Sequence, residues 1–98
     1  MKPACRFSAL AEVDIEGIAL FIAADNPRRA LSFVEELRAR CEALVHHPDS
    51  CPLREEYGAG IRMAVQGRYL IFYAASDDGV LIERVIHSAR HRPSPDNP

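Results

Sequence analysis

Residues 67–87, GRYLIFYAASDDGVLIERVIH, decide the fold of this chain. Tyr69 to Ala74 are rich in aromatic and β-branched side chains, which is typical of a β-strand. The segment Ser76-Asp77-Asp78-Gly79 predicts a tight turn, because Asp-Gly tolerates the positive φ angles that hairpins need. Val80 to His87 predict the partner strand. The sequence therefore predicts a β-hairpin within a small antiparallel sheet.

A further strand precedes this hairpin. Arg62 to Gln66 alternate in polarity with a period of two, and Gly67 turns the chain toward the next strand. Residues 48–60, PDSCPLREEYGAG, contain two prolines and two glycines and predict a connector. The C-terminal half is thus predicted to form a three-stranded meander.

Two helices are predicted in the N-terminal half. Ser8 provides an N-cap for a helix that ends near Ala24, and Asn26 provides an N-cap for a helix that ends at His46-His47-Pro48. Because the link between them is short, we expect an antiparallel helical hairpin. Pro3 to Ser8 predict a short extended segment before it. The pattern indicates an α+β domain: a short N-terminal strand and a helical hairpin packed on a small antiparallel sheet.

Apolar residues recur at regular intervals in the predicted helices and strands, and they indicate which faces pack together. The first helix has a line of Leu10, Val13, Gly17 and Phe21, flanked by Ile18 and Ile22. The second has a stripe of Ala30, Phe33, Val34, Leu37, Cys41, Leu44 and Val45. The strand Tyr69 to Ala74 is apolar on both faces, and strict alternation in the last strand places Val80, Ile82 and Ile86 opposite Leu81 and Val85. A helical hairpin covers one face of such a sheet. We expect the connector, the tail or another chain to cover the second face, and interpret it as a partner-binding surface.

Composition sets further limits. The chain has 98 residues, 48% hydrophobic and 27% charged, with a net charge of −2 and a pI near 6.0. This predicts one small domain over residues 1–92, followed by a frayed tail over 93–98. The charge argues against sequence-specific nucleic-acid binding through a basic surface, and no apolar run exceeds seven residues, too short for a bilayer. Three cysteines form no disulfide framework. We expect a cytoplasmic protein.

No strong catalytic motif is present. Gly58-Ala59-Gly60 lacks the lysine and further glycines of a phosphate-binding loop. Cys41, His46, His47 and Cys51 match no zinc-ligand spacing. No nucleophile is placed beside a base. We therefore assign no catalytic residue, no metal and no cofactor.

Cationic residues concentrate at the predicted sheet and its C-terminal edge. Arg84 and His87 are three residues apart, so a regular strand points them to opposite faces. Arg90 lies beyond the strand and is the best single candidate for contact with a target. The candidate target-binding residues are Arg62, Arg68, Arg84, His87 and Arg90.

The order of several segments resembles a known family. These segments are residues 22–27 (IAADNP), 58–62 (GAGIR), 67–73 (GRYLIFY), 77–79 (DDG) and 84–90 (RVIHSAR). The chain is similar in this respect to the ParE/RelE superfamily of toxins from type II toxin–antitoxin modules, and within it to the ParE (plasmid stabilization) branch. The resemblance implies a short strand, a helical hairpin and an antiparallel sheet.

The resemblance also implies a function. A ParE-like chain inhibits DNA gyrase and is held inactive by a cognate ParD-like antitoxin. RelE-type relatives instead cleave mRNA on the ribosome with a site rich in lysine and arginine and a tyrosine near the C-terminus. Here the only lysine is Lys2 and no tyrosine follows Tyr73. We therefore favour an inhibitory binding protein over an enzyme, and keep an endoribonuclease or a non-toxic antitoxin-binding relative as alternatives.

The antitoxin is expected to fold on the toxin as it binds, with apolar side chains laid into grooves beside the helical hairpin and the sheet. The candidate lining residues are Leu10, Val13, Phe21, Phe33, Leu37 and Tyr73.

Overall fold

A computed structural model describes residues 2–89, in which two helices lie against one face of a four-stranded mixed sheet. The elements in chain order are β1 (Ala4–Phe7), α1 (Ala9–Ala23), α2 (Pro27–Ala43), a 3-10 turn (Glu55–Tyr57), β2 (Ile61–Gln66), β3 (Tyr69–Ser76) and β4 (Gly79–His87). The predicted α+β class is confirmed. The predicted tail, residues 93–98, lies outside the described residues.

Both predicted helix caps are confirmed. The Ser8 hydroxyl accepts a hydrogen bond from the amide of Ala11 at 3.0 Å, and the Asn26 side chain accepts one from the amide of Arg29 at 3.0 Å. Each cap satisfies an amide that the first helical turn leaves unpaired. Ser8 also donates to the carbonyl of Glu83 at 2.8 Å, which ties the start of α1 to β4.

The sheet has the order β1-β4-β3-β2, and β1 pairs with β4 in parallel. Its remaining pairs are antiparallel, as the meander predicted. The amide of Ala4 bonds the carbonyl of Asp78, and the amide of Ser8 bonds the carbonyl of Ile82, both at 2.9 Å. At Gly79, which has a φ of 122°, any Cβ would collide with the backbone of Ala4. Glycine therefore permits the close approach of β1 to the start of β4.

A β-bulge in β4 corrects the predicted alternation of that strand. Phe72 pairs with Arg84 whereas Tyr73 pairs with Ile82, so Glu83 is the extra residue. Val85 consequently joins Val80 and Ile82 in the core beneath the helices. The prediction that Val85 opposes Ile82 was wrong, because an extra residue resets the period of two.

The core face of α1 consists of Ala11, Ile15 and Ile18, which are all buried. The line that begins at Leu10 lies on the opposite side of the helix and is exposed. In α2 the predicted stripe is largely buried, with Ala30, Phe33, Leu37 and Cys41 inside.

The connector covers part of the second face of the sheet. The ring of Tyr57 lies 4.7 Å from that of Phe72, and Leu53 forms an isolated bridge with Arg62 beside the edge strand β2. One of the covers expected from the sequence is therefore present. Within residues 2–89 no helix has both the length and the apolar character that crossing a bilayer demands.

Candidate functional site

A groove of about 540 Å³ runs between α1 and the C-terminal half of β4, and we call it the α1–β4 groove. Val13, Gly17 and Phe21 form its helical wall. Arg84 and His87 contribute from the sheet. Its walls are mostly apolar, whereas its polar groups come from a few side chains, a composition typical of binding sites.

An exposed apolar surface continues from this groove onto the outside of the helix. We define the α1 outer face as Leu10, Val13, Gly17, Leu20 and Phe21. Its four large side chains are 58%, 62%, 68% and 66% exposed, respectively, from Leu10 to Phe21. On α2, Leu31 is also exposed. Isolated exposed apolar residues are ordinary, but a contiguous set of this kind marks an interaction surface.

The α1–β4 groove contains an ion pair that joins its two walls. Arg84 donates from Nε to Oδ2 of Asp14 at 2.8 Å and from Nη2 to Oδ1 at 3.0 Å. The amide of Val85 donates to the same Oδ2 at 2.9 Å. The hydrogen bonds to Asp14 raise the pKa of Arg84 above its ordinary value. The pair fixes the guanidinium in a two-bond geometry at the groove wall.

His87 is held by contacts on two sides. Its Nδ1 accepts a hydrogen bond from the amide of Ala89 at 3.0 Å, and its ring meets that of Tyr69 edge-on at 5.1 Å. Since Nδ1 is an acceptor, the hydrogen of the neutral ring is on Nε2. Neither Nε2 of His87 nor Nη1 of Arg84 has a hydrogen-bond partner among residues 2–89.

The structure separates the other target-binding candidates. Arg62 donates to the carbonyl of Cys51 at 2.6 Å and lies 3.4 Å from a carboxylate oxygen of Asp49, so it fastens the connector. Arg68 is exposed in the turn between β2 and β3, with no ion pair within the described part of the chain. Its carbonyl accepts from the amide of Ser88 at 2.8 Å, just beyond β4. Arg90 lies outside the described residues.

The antitoxin-binding candidates divide into two groups. Leu10, Val13 and Phe21 belong to the α1 outer face. Phe33, Leu37 and Tyr73 are only 5%, 0% and 0% exposed and form core. The Tyr73 hydroxyl donates to the carbonyl of Pro48 at 2.9 Å.

Sequence reasoning missed two contributions to the site. Leu20 extends the α1 outer face, and its place three residues after Gly17 was a usable signal. Asp14 was not among the candidate residues, although its carboxylate accepts hydrogen bonds from Arg84 and from the amide of Val85 in β4. No local pattern reveals that contact, because its partner is 70 positions away in the chain.

Burial suppresses the acidity of two thiols. Desolvation raises the pKa of Cys41 to about 12 and that of Cys5 to about 11. Both are protonated at neutral pH and are poor nucleophiles. Among residues 2–89, no three His, Cys, Asp or Glu side chains are grouped to hold a metal ion.

Two solved structures share this fold. One is described as the chromosomal ParDE TA system from P. aeruginosa; the match has a TM-score of 0.73 at 15% identity and covers 88% of this chain and 96% of that chain. The other is the toxin–antitoxin complex RelBE2 from Mycobacterium tuberculosis; the match has a TM-score of 0.59 at 28% identity and covers 89% of this chain and 99% of that chain. No protein with a curated description matches the chain in sequence.

A family model identifies the class. The model of the ParE toxin of the type II toxin–antitoxin system, parDE, matches residues 5–92. The chain therefore belongs to the ParE toxin family, as the resemblance of its segments predicted.

Proposed function

We propose that this protein inhibits DNA gyrase in the cytoplasm and is neutralised by a cognate ParD-like antitoxin. The observation that carries the proposal is the exposed α1 outer face beside the α1–β4 groove, in a chain of the ParE toxin family. Such a surface gains free energy when a partner covers it, at roughly 25 cal/mol per Å² of apolar area.

The antitoxin is proposed to bind through Leu10, Val13 and Phe21. These side chains are exposed and lie on one side of α1, and two of them, Val13 and Phe21, line the groove. The solved structures with this fold are themselves described as a toxin–antitoxin system and a toxin–antitoxin complex.

The target is proposed to bind at the C-terminal edge of the sheet. Arg68 is exposed at this edge, and its carbonyl accepts a hydrogen bond from the amide of Ser88, the first residue after β4. Arg68 and Arg90 are the proposed target contacts. The α1–β4 groove, which Arg84 and His87 line, adjoins this edge, because the amide of Ser88 bonds the carbonyl of Arg68. An antitoxin seated in the groove would therefore neutralise the toxin by blocking access to the edge.

A RelE-type, ribosome-dependent endoribonuclease is the second candidate, favoured by the 28% identity with the RelBE2 complex. Three contacts count against it. Arg62 is engaged by the connector, Arg84 is paired with Asp14, and Nδ1 of His87 is occupied by a backbone amide. A phosphate-cleaving site needs cations free to meet the charge of the transition state.

The test is to induce the chain alone in cells and follow DNA synthesis, DNA breakage, mRNA cleavage and translation together. We expect DNA breaks and halted DNA synthesis while translation continues. Prompt translation arrest with intact DNA would establish the endoribonuclease instead. Absence of toxicity, with antitoxin binding retained, would leave a binding relative without a target.

A further inference from the structure

We infer that Arg29 joins Arg68 at the C-terminal edge of the sheet, and that this edge docks on an acidic protein surface of the target. The inference rests on the proposed function, because it specifies what the proposed target presents at that edge. Arg29 was not among the candidate residues drawn from the sequence.

Stacked side chains bring the start of α2 to this edge. The guanidinium of Arg29 lies 5.3 Å from the centre of the Phe33 ring, and the Phe33 ring lies 5.4 Å from that of Tyr69. Tyr69 in turn meets the ring of His87 at 5.1 Å. We call these four side chains the end row. Its middle is buried at Phe33 and Tyr69, and it reaches solvent at Arg29, whose side chain is 46% exposed.

The turn between β2 and β3 packs against the end row. A Cβ placed on Gly67 would lie 3.5 Å from the ring of Phe33. Arg68 follows it and is exposed, and its carbonyl accepts from the amide of Ser88 at 2.8 Å. Arg29 and Arg68 therefore belong to one end of the molecule, although α2 and this turn are far apart in the chain.

Arg29 is held in one geometry, with part of its guanidinium free. Nη1 donates to Oε2 of Glu36 at 2.8 Å and to the hydroxyl of Ser32 at 3.0 Å, and Nη2 donates to Oε1 of Glu36 at 3.3 Å. Its Nε has no hydrogen-bond partner among residues 2–89. A side chain that is already held loses less conformational entropy when a partner binds it. Arginine is also enriched among the residues that dominate protein interfaces.

Carboxylates of the sheet and its connector concentrate at the opposite end. Asp77 and Asp78 follow β3 whereas Arg68 precedes it, and the eight residues of β3 separate them by roughly 25 Å. Glu55 and Glu56 precede β2, whose start lies beside the end of β3. The net charge of −2 is therefore unevenly distributed along the molecule. Charge complementarity favours an acidic partner at the end that holds Arg68.

The charge balance at this edge favours a protein over a nucleic acid. Arg28, Arg29 and Arg68 share this end with the carboxylates of Asp25, in the link between the helices, and Glu36. Binding to a phosphate backbone depends on several uncompensated cations that displace counterions. A patch of mixed charge instead suits a few carboxylates on a protein, which arginine binds through paired N–H groups.

The first experiment compares charge-reversed variants as inhibitors of DNA supercoiling by purified gyrase. Arg29→Glu and Arg68→Glu are each expected to raise the concentration for half-maximal inhibition roughly 10-fold or more, because each places a carboxylate opposite an acidic surface. Arg6→Glu, an exposed residue on β1, is the charge-matched control and should inhibit as the wild type does. If Arg29→Glu does not fold, Arg29→Gln replaces it in the test, with an expected loss of roughly 3-fold.

Glu36 provides a test with the opposite sign. Its carboxylate neutralises Arg29 in the free protein. Glu36→Gln removes that charge, while the side-chain oxygen still accepts from the guanidinium, so this variant is expected to inhibit gyrase about 3-fold more strongly. Glu35→Gln, the adjacent exposed carboxylate, is the matched control and leaves inhibition unchanged. A purely structural role of Arg29 predicts no gain from Glu36→Gln.

The second experiment identifies the class of partner. The protein is titrated into a DNA duplex without gyrase, and into gyrase without DNA. At the concentrations that inhibit supercoiling, we expect binding to gyrase and none to the duplex. Binding to the duplex at those concentrations, weakened by Arg68→Glu, would assign the edge to phosphate and overturn the inference.

The outcomes separate the inference from the function on which it rests. Inhibition that survives in folded Arg29→Glu and Arg68→Glu variants overturns the inference alone. A loss with Arg68→Glu but not with folded Arg29→Glu overturns the assignment of Arg29. Failure of the folded wild-type chain to inhibit gyrase overturns the proposed function, and the inference with it.

Discussion

The carboxylate of Asp14 holds the guanidinium of Arg84 through two hydrogen bonds, at 2.8 and 3.0 Å, across the α1–β4 groove. The side chain of Asp14 is only 14% exposed. It also accepts from the amide of Val85, immediately after the bulge in β4. A single carboxylate thus joins the first helix to the last strand and fixes Arg84 at the wall of the groove.

Removal of this carboxylate is expected to loosen the bulge. We predict that Asp14→Ala lowers the free energy of unfolding by about 2 kcal/mol, the scale for hydrogen bonds to a charged group, reduced because Arg84 is partly exposed. Asp14→Asn should cost less, since its side-chain oxygen still accepts from Val85. Urea unfolding measures both. The contact is not structural if both variants unfold like Glu16→Ala, the exposed-residue control.

The close approach at Gly79 gives a sharper stability prediction. Gly79→Ala is expected to cost more than about 3 kcal/mol, because the new Cβ collides with the backbone of Ala4 and the positive φ disfavours alanine. Gly60→Ala is the matched control: its φ of 75° is also positive, but a Cβ there meets no atom within 4 Å. Thermal unfolding compares the two. Equal losses would mean that β1 does not pack against the start of β4.

Stability is expected to fall in alkali. Desolvation raises the pKa of Cys41 from 9.0 to about 12 and that of Tyr73 from 10.0 to about 12. The unfolded chain therefore loses these protons first, so the stabilising effect is complete below pH 9 and is lost as the pH rises toward 12. Urea unfolding between pH 7 and pH 11 tests this, and Cys41→Ala should make the decline shallower without abolishing it, because the raised pKa values of Cys5 and Tyr73 still contribute. A flat profile in the wild type contradicts the burial of both groups.

Much of the fold follows from local signals. Ser8 and Asn26 cap their helices as predicted, since capping depends on neighbouring amides alone. The turn at Asp77 and Asp78 joins β3 to β4 as predicted, and the positive φ lies at the residue that follows it, Gly79.

Long-range pairing did not follow from the sequence. The bulge at Glu83 has no distinctive residue signature, and the parallel pairing of β1 joins segments at opposite ends of the chain. Helix α1 has apolar residues on two sides, with Ile15 and Ile18 on one and Leu10 and Val13 on the other. Periodicity alone therefore did not decide which side is buried.

Substitution of Arg90 tests the proposed target interface. We predict that Arg90→Ala sharply reduces growth arrest on induction, while the melting temperature and antitoxin affinity stay close to those of the wild type. The sequence leads us to expect Arg90 on the surface beyond the last strand, and a surface arginine contributes under about 1 kcal/mol to stability. Arg6→Ala is the matched surface-arginine control and should remain toxic. Full toxicity of Arg90→Ala would remove this residue from the target interface; loss of folding would make it structural.

Inhibition of purified gyrase tests the central claim most directly. DNA supercoiling by gyrase is followed with increasing amounts of the folded chain, and then with antitoxin added in equal amount. We predict that the free chain inhibits supercoiling and that the antitoxin restores it, because the antitoxin covers the α1–β4 groove and the adjoining edge of the sheet. Undiminished supercoiling in the presence of excess folded chain would contradict the account.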